Sequence, residues 1–211
     1  ALTKDGEDED GMPYVGGHRT GSKGKAIRVL NNGKQVTVKA AENVYVEGIS
    51  TNTASGTKDP EGTLLLEASN VDPNSKLKNV GVYVNGNLQL AGNLNAQETI
   101  SLDTPLALNV GSELAANNIK LRSGENIEFN ADAVVQGENI NLTAKKNITE
   151  VYDLEKGTGS KLITNYTTID GEGKDVYNQG QLTINNGGTL DLGGKNNMLG
   201  IVNINNTSAQ A

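Results

Sequence analysis

The 211-residue chain has no cysteine and no tryptophan, and only one phenylalanine, one histidine, two methionines and four prolines. Each shortage excludes something. Without cysteine there is no disulfide framework and no thiolate metal site. With aromatic residues at 3%, any core must be narrow and filled by Val, Ile and Leu. No apolar run is long enough to span a bilayer, so membrane insertion is not expected. Basic charge is also short, with 18 Lys and Arg against 25 Asp and Glu and a net charge of −7. No basic cluster marks a phosphate-binding face, so nucleic acid is not an expected partner and anionic membrane surfaces are disfavoured. His18, in Gly16-Gly17-His18-Arg19, has no second histidine with which to share a zinc ion and no partner pattern for a nucleophilic triad. The Gly-rich stretch 16–24 neither follows a strand nor opens a helix, so it is not a phosphate loop.

What is abundant is glycine, at 26, and asparagine, at 28. They punctuate a repeat. Val44-Tyr45-Val46, Leu64-Leu65-Leu66, Val82-Tyr83-Val84, Ile100-Ser101-Leu102, Ile119-Lys120-Leu121 and Ile140-Asn141-Leu142 follow one another at steps of 20, 18, 18, 19 and 21 residues. A second series, Leu88-Gln89-Leu90, Leu106-Ala107-Leu108, Ile127-Glu128-Phe129 and Ile148, trails the first, and a third position holds Leu94, Leu114 and Val134-Val135. Side chains alternate across a strand, so the outer members of each triplet share one face and the middle member takes the other. Three residues cannot bury a face alone, but a strand stacked on its equivalents one coil away, about 4.8 Å off, builds apolar columns.

The expected fold is therefore all-β: a parallel β-helix (solenoid) of short strands, about 19 residues per coil, with projecting loops. Roughly nine such coils would make a rod about 40 Å tall. Gly and Asn suit the corners through their tolerance of left-handed angles, and stacked Asn can form side-chain ladders. The competing fold, an antiparallel sandwich or barrel, would need longer strands and two-residue hairpin turns.

The organisation follows from the repeat. Residues 1–24 form an acidic, Gly-rich irregular segment, either solvated or lying against the rod as a cap. The solenoid spans 25–205. Residues 25–50 are its first coil or cap, with strand candidates at 26–30, 35–38 and 43–46. Residues 51–79 carry two polar loop insertions, 51–62 and 69–79, and 80–150 are the most regular coils. An interruption at 153–160 precedes C-terminal coils over 161–205, which include Leu162-Ile163-Thr164 and Thr168-Ile169, and 206–211 is a polar tail. The chain opens at Ala1 on polar, acidic residues rather than a signal peptide, as a mature or excised piece of an exported protein would.

Asn87-Leu88-Gln89-Leu90-Ala91-Gly92-Asn93-Leu94, followed by Ile100-Ser101-Leu102 and Asn118-Ile119-Lys120-Leu121, resembles the filamentous-haemagglutinin type of bacterial exoprotein repeat. Glu138-Asn139-Ile140-Asn141-Leu142-Thr143-Ala144 is similar in style, and residues 182–192 resemble an autotransporter passenger coil. The likeness extends over residues 35–205. It implies a secreted or surface-held adhesin exported across a Gram-negative outer membrane, a route compatible with the absence of disulfides. It carries over no functional residue.

Three functions follow as expectations. The first is a non-enzymatic secreted or cell-surface protein, an adhesin or passenger fragment, whose partner is a host or neighbour-cell surface glycan or protein. Its candidate ligand-binding residues are Tyr45 and Tyr83, read as one outward column with Leu65 between them, since tyrosine offers flat area at low entropic cost. The second is a structural subunit that binds copies of itself end to end in an extracellular filament or layer through strand complementation. The third, a polysaccharide-degrading enzyme, would need stacked carboxylates on adjacent coils; the two outward columns pair none, so no catalytic residue is named. No cofactor is expected. Ca²⁺ is the one metal considered, with Asp5, Asp8 and Asp10 of the acidic run as candidate ligands, although the spacing of an EF-hand loop is missing.

Overall fold

The structure is a computed structural model that describes residues 77–84 and 86–208 in full, together with the backbone of the strands Lys4–Glu7, Pro13–Val15, Asn43–Ile49 and Thr63–Glu67. Those residues form a parallel β-solenoid of about six turns, without helices. Three sheets run its length. The first has seven strands, in the order Ile201–Asn206, Gln181–Asn186, Asn139–Ala144, Asn118–Ser123, Thr99–Thr104, Asn79–Val84 and Asn43–Ile49. The second has six: Leu190–Asp191, Ile148–Glu150, Ile127–Phe129, Leu108–Val110, Asn87–Ala91 and Thr63–Glu67. The third has four: Lys161–Ile163, Val134–Gln136, Glu113–Ala115 and Leu94–Asn95.

The core consists of aliphatic columns. In the first sheet, Val80, Ile100, Ile119, Ile140 and Leu182 lie in one row and Val82, Leu102, Leu121, Leu142 and Ile184 in the next, all buried. The third sheet stacks Leu94, Leu114, Val135 and Leu162. Each such side chain contributes on the order of 1.5–3 kcal/mol by leaving water. No single coil closes a core, so that stabilisation is realised only when neighbours stack.

Polar ladders run outside the columns. Asn139 donates to the Asn118 side-chain oxygen at 3.1 Å, and Gln181 donates to Asn139 at 3.2 Å. At the corners, asparagine oxygens accept backbone N–H groups of the next coil: Asn87 from Ala107, Asn126 from Asn147, and Asn147 from Thr189, at 2.9–3.1 Å. The abundance of asparagine thus satisfies corner backbone that no strand pairs. Gly92, Gly157 and Gly173 have the expected left-handed backbone, with φ of 79°, 65° and 80°, and other glycines serve a second purpose. Gly124 and Gly180 lack a positive φ, yet a Cβ on either would collide with a carbonyl of the adjacent coil, Pro105 and Glu138 respectively. Close stacking of coils, rather than left-handed backbone, selects them.

The register corrects several expectations. Nine coils become about six because single coils are much longer than the period where the chain makes excursions: Asn43 pairs with Asn79, and Ile140 with Leu182. Leu64-Leu65-Leu66 does not belong to the first series; it pairs with Leu88-Gln89-Leu90 in the second sheet. The triplet aligned with Ile100-Ser101-Leu102 is Val80-Gly81-Val82, and Leu108-Asn109-Val110 replaces Leu106-Ala107-Leu108. Both are slips of two residues, which leave the same face inward. Lys4–Glu7 and Pro13–Val15 pair antiparallel, outside the parallel stack, and Pro13–Val15 runs close to Asn43–Ile49. The strand candidates at 26–30 and 35–38, the loops 51–62 and 69–76, His18 and residues 209–211 lie outside the described residues.

Candidate functional site

The coil that follows Ile148–Glu150 departs from the pattern at two corners. One coil earlier, residues 130–133 link the second sheet to the third and residues 137–138 return to the first. Here the equivalent corners are 151–160 and 164–180. Each contains an antiparallel hairpin, Tyr152–Asp153 with Thr158–Gly159 and Asn165–Ile169 with Asp175–Gln179. The rod is undisturbed beneath them, since Ile140 still stacks on Leu182 and Leu142 on Ile184. At the base of the longer hairpin the Gly180 N–H donates to the Thr164 carbonyl at 2.7 Å, and the Gln181 N–H donates to Glu138 at 2.8 Å.

Local chemistry shapes both tips. Asp170 opens the turn of the longer hairpin, its carboxylate accepting from the Glu172 and Lys174 N–H groups at 2.8 and 2.9 Å, with Gly173 at φ 80°. Asp153 does the same in the shorter one, accepting from Glu155 and Lys156 at 3.0 and 3.1 Å. The Lys156 N–H, above all, holds the Asp153 carboxyl below its usual range, with the Glu155 N–H and the Lys156 charge adding to it.

Alternation sorts the longer hairpin into two faces. One shows Ile169, Thr167, Asn165, Asp175, Tyr177 and Gln179; the other shows Tyr166, Thr168, Val176 and Asn178. Ile169 is 71% exposed and Tyr177 64%. Asn178 donates to Thr168 at 3.0 Å across the strands. Tyr166 is half-buried near the root; burial, then the charge of Glu138, raises its phenol above the usual value. In the shorter hairpin Leu154 stands 86% exposed. Among the described residues every exposed large apolar side chain lies beyond Glu150.

Glu150 itself is a buried carboxylate in a core column. Leu90, Val110 and Phe129 stack beneath it, all buried. Its oxygens accept from the Ser160 hydroxyl at 3.2 Å, the Gly194 N–H at 3.3 Å and the Asn197 amide at 2.6 Å. Burial raises its pKa against the pull of those hydrogen bonds, and the nearby charge of Asp191 adds to the rise. The group ties the 151–160 excursion to the chain returning at 194–197, so the arrangement is a structural lock.

The residues singled out in the sequence fall elsewhere. Tyr45 pairs with Gly81, Tyr83 pairs with Asp103, and Leu65 lies in the second sheet opposite Gln89. The expected Tyr45–Leu65–Tyr83 column is therefore not formed. Asp5 sits in the strand Lys4–Glu7, while Asp8 and Asp10 lie outside the described residues. Among the described residues no group of three His, Asp or Glu side chains is placed to hold a metal ion, and no helix is long and apolar enough to cross a membrane. Thr168-Ile169, expected as a coil strand, instead belongs to the longer hairpin. Asp170-Gly171 between two β-branched runs was the available turn signal.

Comparison with protein-family models, with curated proteins and with solved structures returned no match.

Proposed function

We propose that this chain is a non-enzymatic, secreted or cell-surface β-helical protein that attaches to a glycan or protein on a host or neighbouring cell, as an adhesin or passenger-type rod. One observation carries the reading: the hairpin of Asn165–Ile169 with Asp175–Gln179 leaves the rod without disturbing its stacking and presents Ile169 and Tyr177 to solvent. A rigid scaffold that holds an aromatic, polar-rimmed excursion is the usual division between support and recognition. The resemblance of residues 35–205 to bacterial exoprotein repeats points the same way.

The test is deletion of residues 165–179, joining Thr164 to Gly180. This leaves a two-residue corner between Ile163 and Gln181, the same length as Gly137-Glu138 one coil earlier. The expected result is an unchanged circular dichroism spectrum with loss of adhesion to epithelial and bacterial cell panels. Adhesion that survives the deletion, or an intact chain that adheres to nothing, overturns the reading.

A further inference from the structure

The outward face of the first sheet changes character along the rod. From Thr99–Thr104 onward its strands stack without a register shift, so outward side chains form straight rows. One row runs Ser101, Lys120, Asn141, Thr183 and Asn203; the next runs Asp103, Arg122, Thr143, Asn185 and Asn205. Ser101 and Asp103 are buried, and Arg122 is paired with Asp103. From Asn141 and Thr143 onward both rows hold only asparagine and threonine. Asn141 and Thr183 are half-buried, while Thr143 and Asn185 are exposed. None of these four side chains makes a hydrogen bond among the described residues, whereas the neighbouring row of Asn118, Asn139 and Gln181 is occupied with its own ladder.

We infer that these two rows bind an extended, neutral polysaccharide lying along the rod. Every group in them, amide or hydroxyl, can both donate and accept a hydrogen bond. Adjacent hydroxyls of a sugar ring do the same, so one amide can donate to the first and accept from the second. The rows repeat about every 4.8 Å along the axis and lie about 6.6 Å apart across it, two residues of strand. Rings of an extended β-linked glycan recur at nearly the coil spacing, so each coil meets one ring. Charge selects the same ligand. A chain of net charge −7 repels an acidic polymer, and beyond Arg122 the rows offer no charge to pair with either sign. A protein partner would seek aromatic or apolar anchors, and the rows present none. The sheet fixes the groups before the ligand arrives, so little freedom is lost on binding. Single contacts are weak, and affinity accumulates along the chain of rings. In its setting, the surface of another cell, this rests on the reading above. In its site it does not, because the rows are separate from residues 165–179.

The test is affinity electrophoresis of the full chain through gels holding soluble β-glucan, xylan or galactomannan, with heparin and polygalacturonate as anionic comparators. At least one neutral polymer should retard the chain more than either anionic one, and its oligosaccharides should compete better as they lengthen. The Asn141→Ala/Thr183→Val/Asn185→Ala variant should weaken binding by about tenfold or more, with its fold checked by circular dichroism. Thr149→Val, on the outward row of the second sheet between Glu128 and Asp191, should leave binding unchanged. If the triple variant fails to fold, Thr183→Val alone, which keeps the shape and loses the hydroxyl, should still weaken binding by about threefold. The chain lacking residues 165–179 should keep its polysaccharide binding, so the hairpin's adhesion and the rows' binding can fail separately. No retention by any neutral polymer, preference for the anionic ones, indifference to the row variants, or loss of binding with the hairpin would each overturn the proposal. Self-association that the triple variant abolishes, without polysaccharide binding, would assign the rows to a second copy and overturn it too.

Discussion

Residues 77–150 and 151–208 obey the same stacking rule and treat their apolar side chains in opposite ways. In the first stretch no large apolar side chain is exposed; in the second, Tyr152, Leu154, Ile169, Val176, Tyr177, Met198, Ile201, Val202 and Ile204 all are. The lower coils place most of their large aliphatic residues in columns and leave none of them exposed. The upper coil adds excursions whose apolar residues stand outside any column, and then a strand whose column residues no described strand covers. In a solenoid, burial follows from being in register and covered, so apolar residues that stand outside any column mark where contact with another molecule is to be sought.

The comparison can be broken by substitution, and the largest effect belongs to the lower coils. Phe129 is fully buried between Val110 and Glu150. Phe129→Ala should cost about 3–5 kcal/mol in urea unfolding. A loss under about 1 kcal/mol would mean the column is not closed. Next comes the lock. Glu150→Ala leaves the Asn197 and Gly194 donors without their acceptor and should cost about 1–3 kcal/mol, with faster hydrogen exchange over 190–197.

Glu150 also makes a prediction about pH. A carboxyl whose pKa is raised on folding binds its proton more tightly in the folded state. Its contribution to stability is therefore greatest below the unfolded value, 4.5, and declines as pH rises through the higher folded value. The amide of Glu150→Gln resembles the protonated acid. The stability difference, variant minus wild type, should thus move in the variant's favour as pH rises from about 4 to 7. A difference that is flat across that window would show that burial does not govern this group.

The smallest effects are expected above. Ile204→Ala should cost less than Ile184→Ala, the same column position one coil down, because Ile204 is half exposed and Ile184 is fully buried. Equal losses would mean that Ile204 is buried in solution. Tyr177→Ser should change stability by no more than about 0.5 kcal/mol while reducing adhesion.

Much of the fold was legible because a solenoid writes its coil length into the chain. Ile100, Ile119 and Ile140 are true stacking partners, as are Leu94, Leu114 and Val135. The errors have physical causes. A slip of two residues preserves the inward face, so alternation could not choose between Val80-Gly81-Val82 and Val82-Tyr83-Val84; stacking at the corners chooses. Leu64-Leu65-Leu66 fitted the period by accident of spacing, which hid a long coil between Asn43 and Asn79. Compared with the regular corners one coil earlier, the two upper excursions together add as many residues as one regular coil, so Ile140 to Leu182 spans twice the Ile119-to-Ile140 step and the hairpin resembles another turn in the sequence. Glu150 was invisible for a different reason: Ser160, Gly194 and Asn197 are brought to it by the fold, and no local pattern names them.

Hydrogen exchange measured peptide by peptide tests the continuous rod beneath the hairpin most directly. Amides of Gln181–Asn186 should be protected to the same degree as those of Asn139–Ala144, with residues 165–179 exchanging orders of magnitude faster between them. Protection that ends at Asn139–Ala144, or a hairpin as protected as the strands it separates, would contradict the stacking of Ile140 on Leu182 on which the account depends.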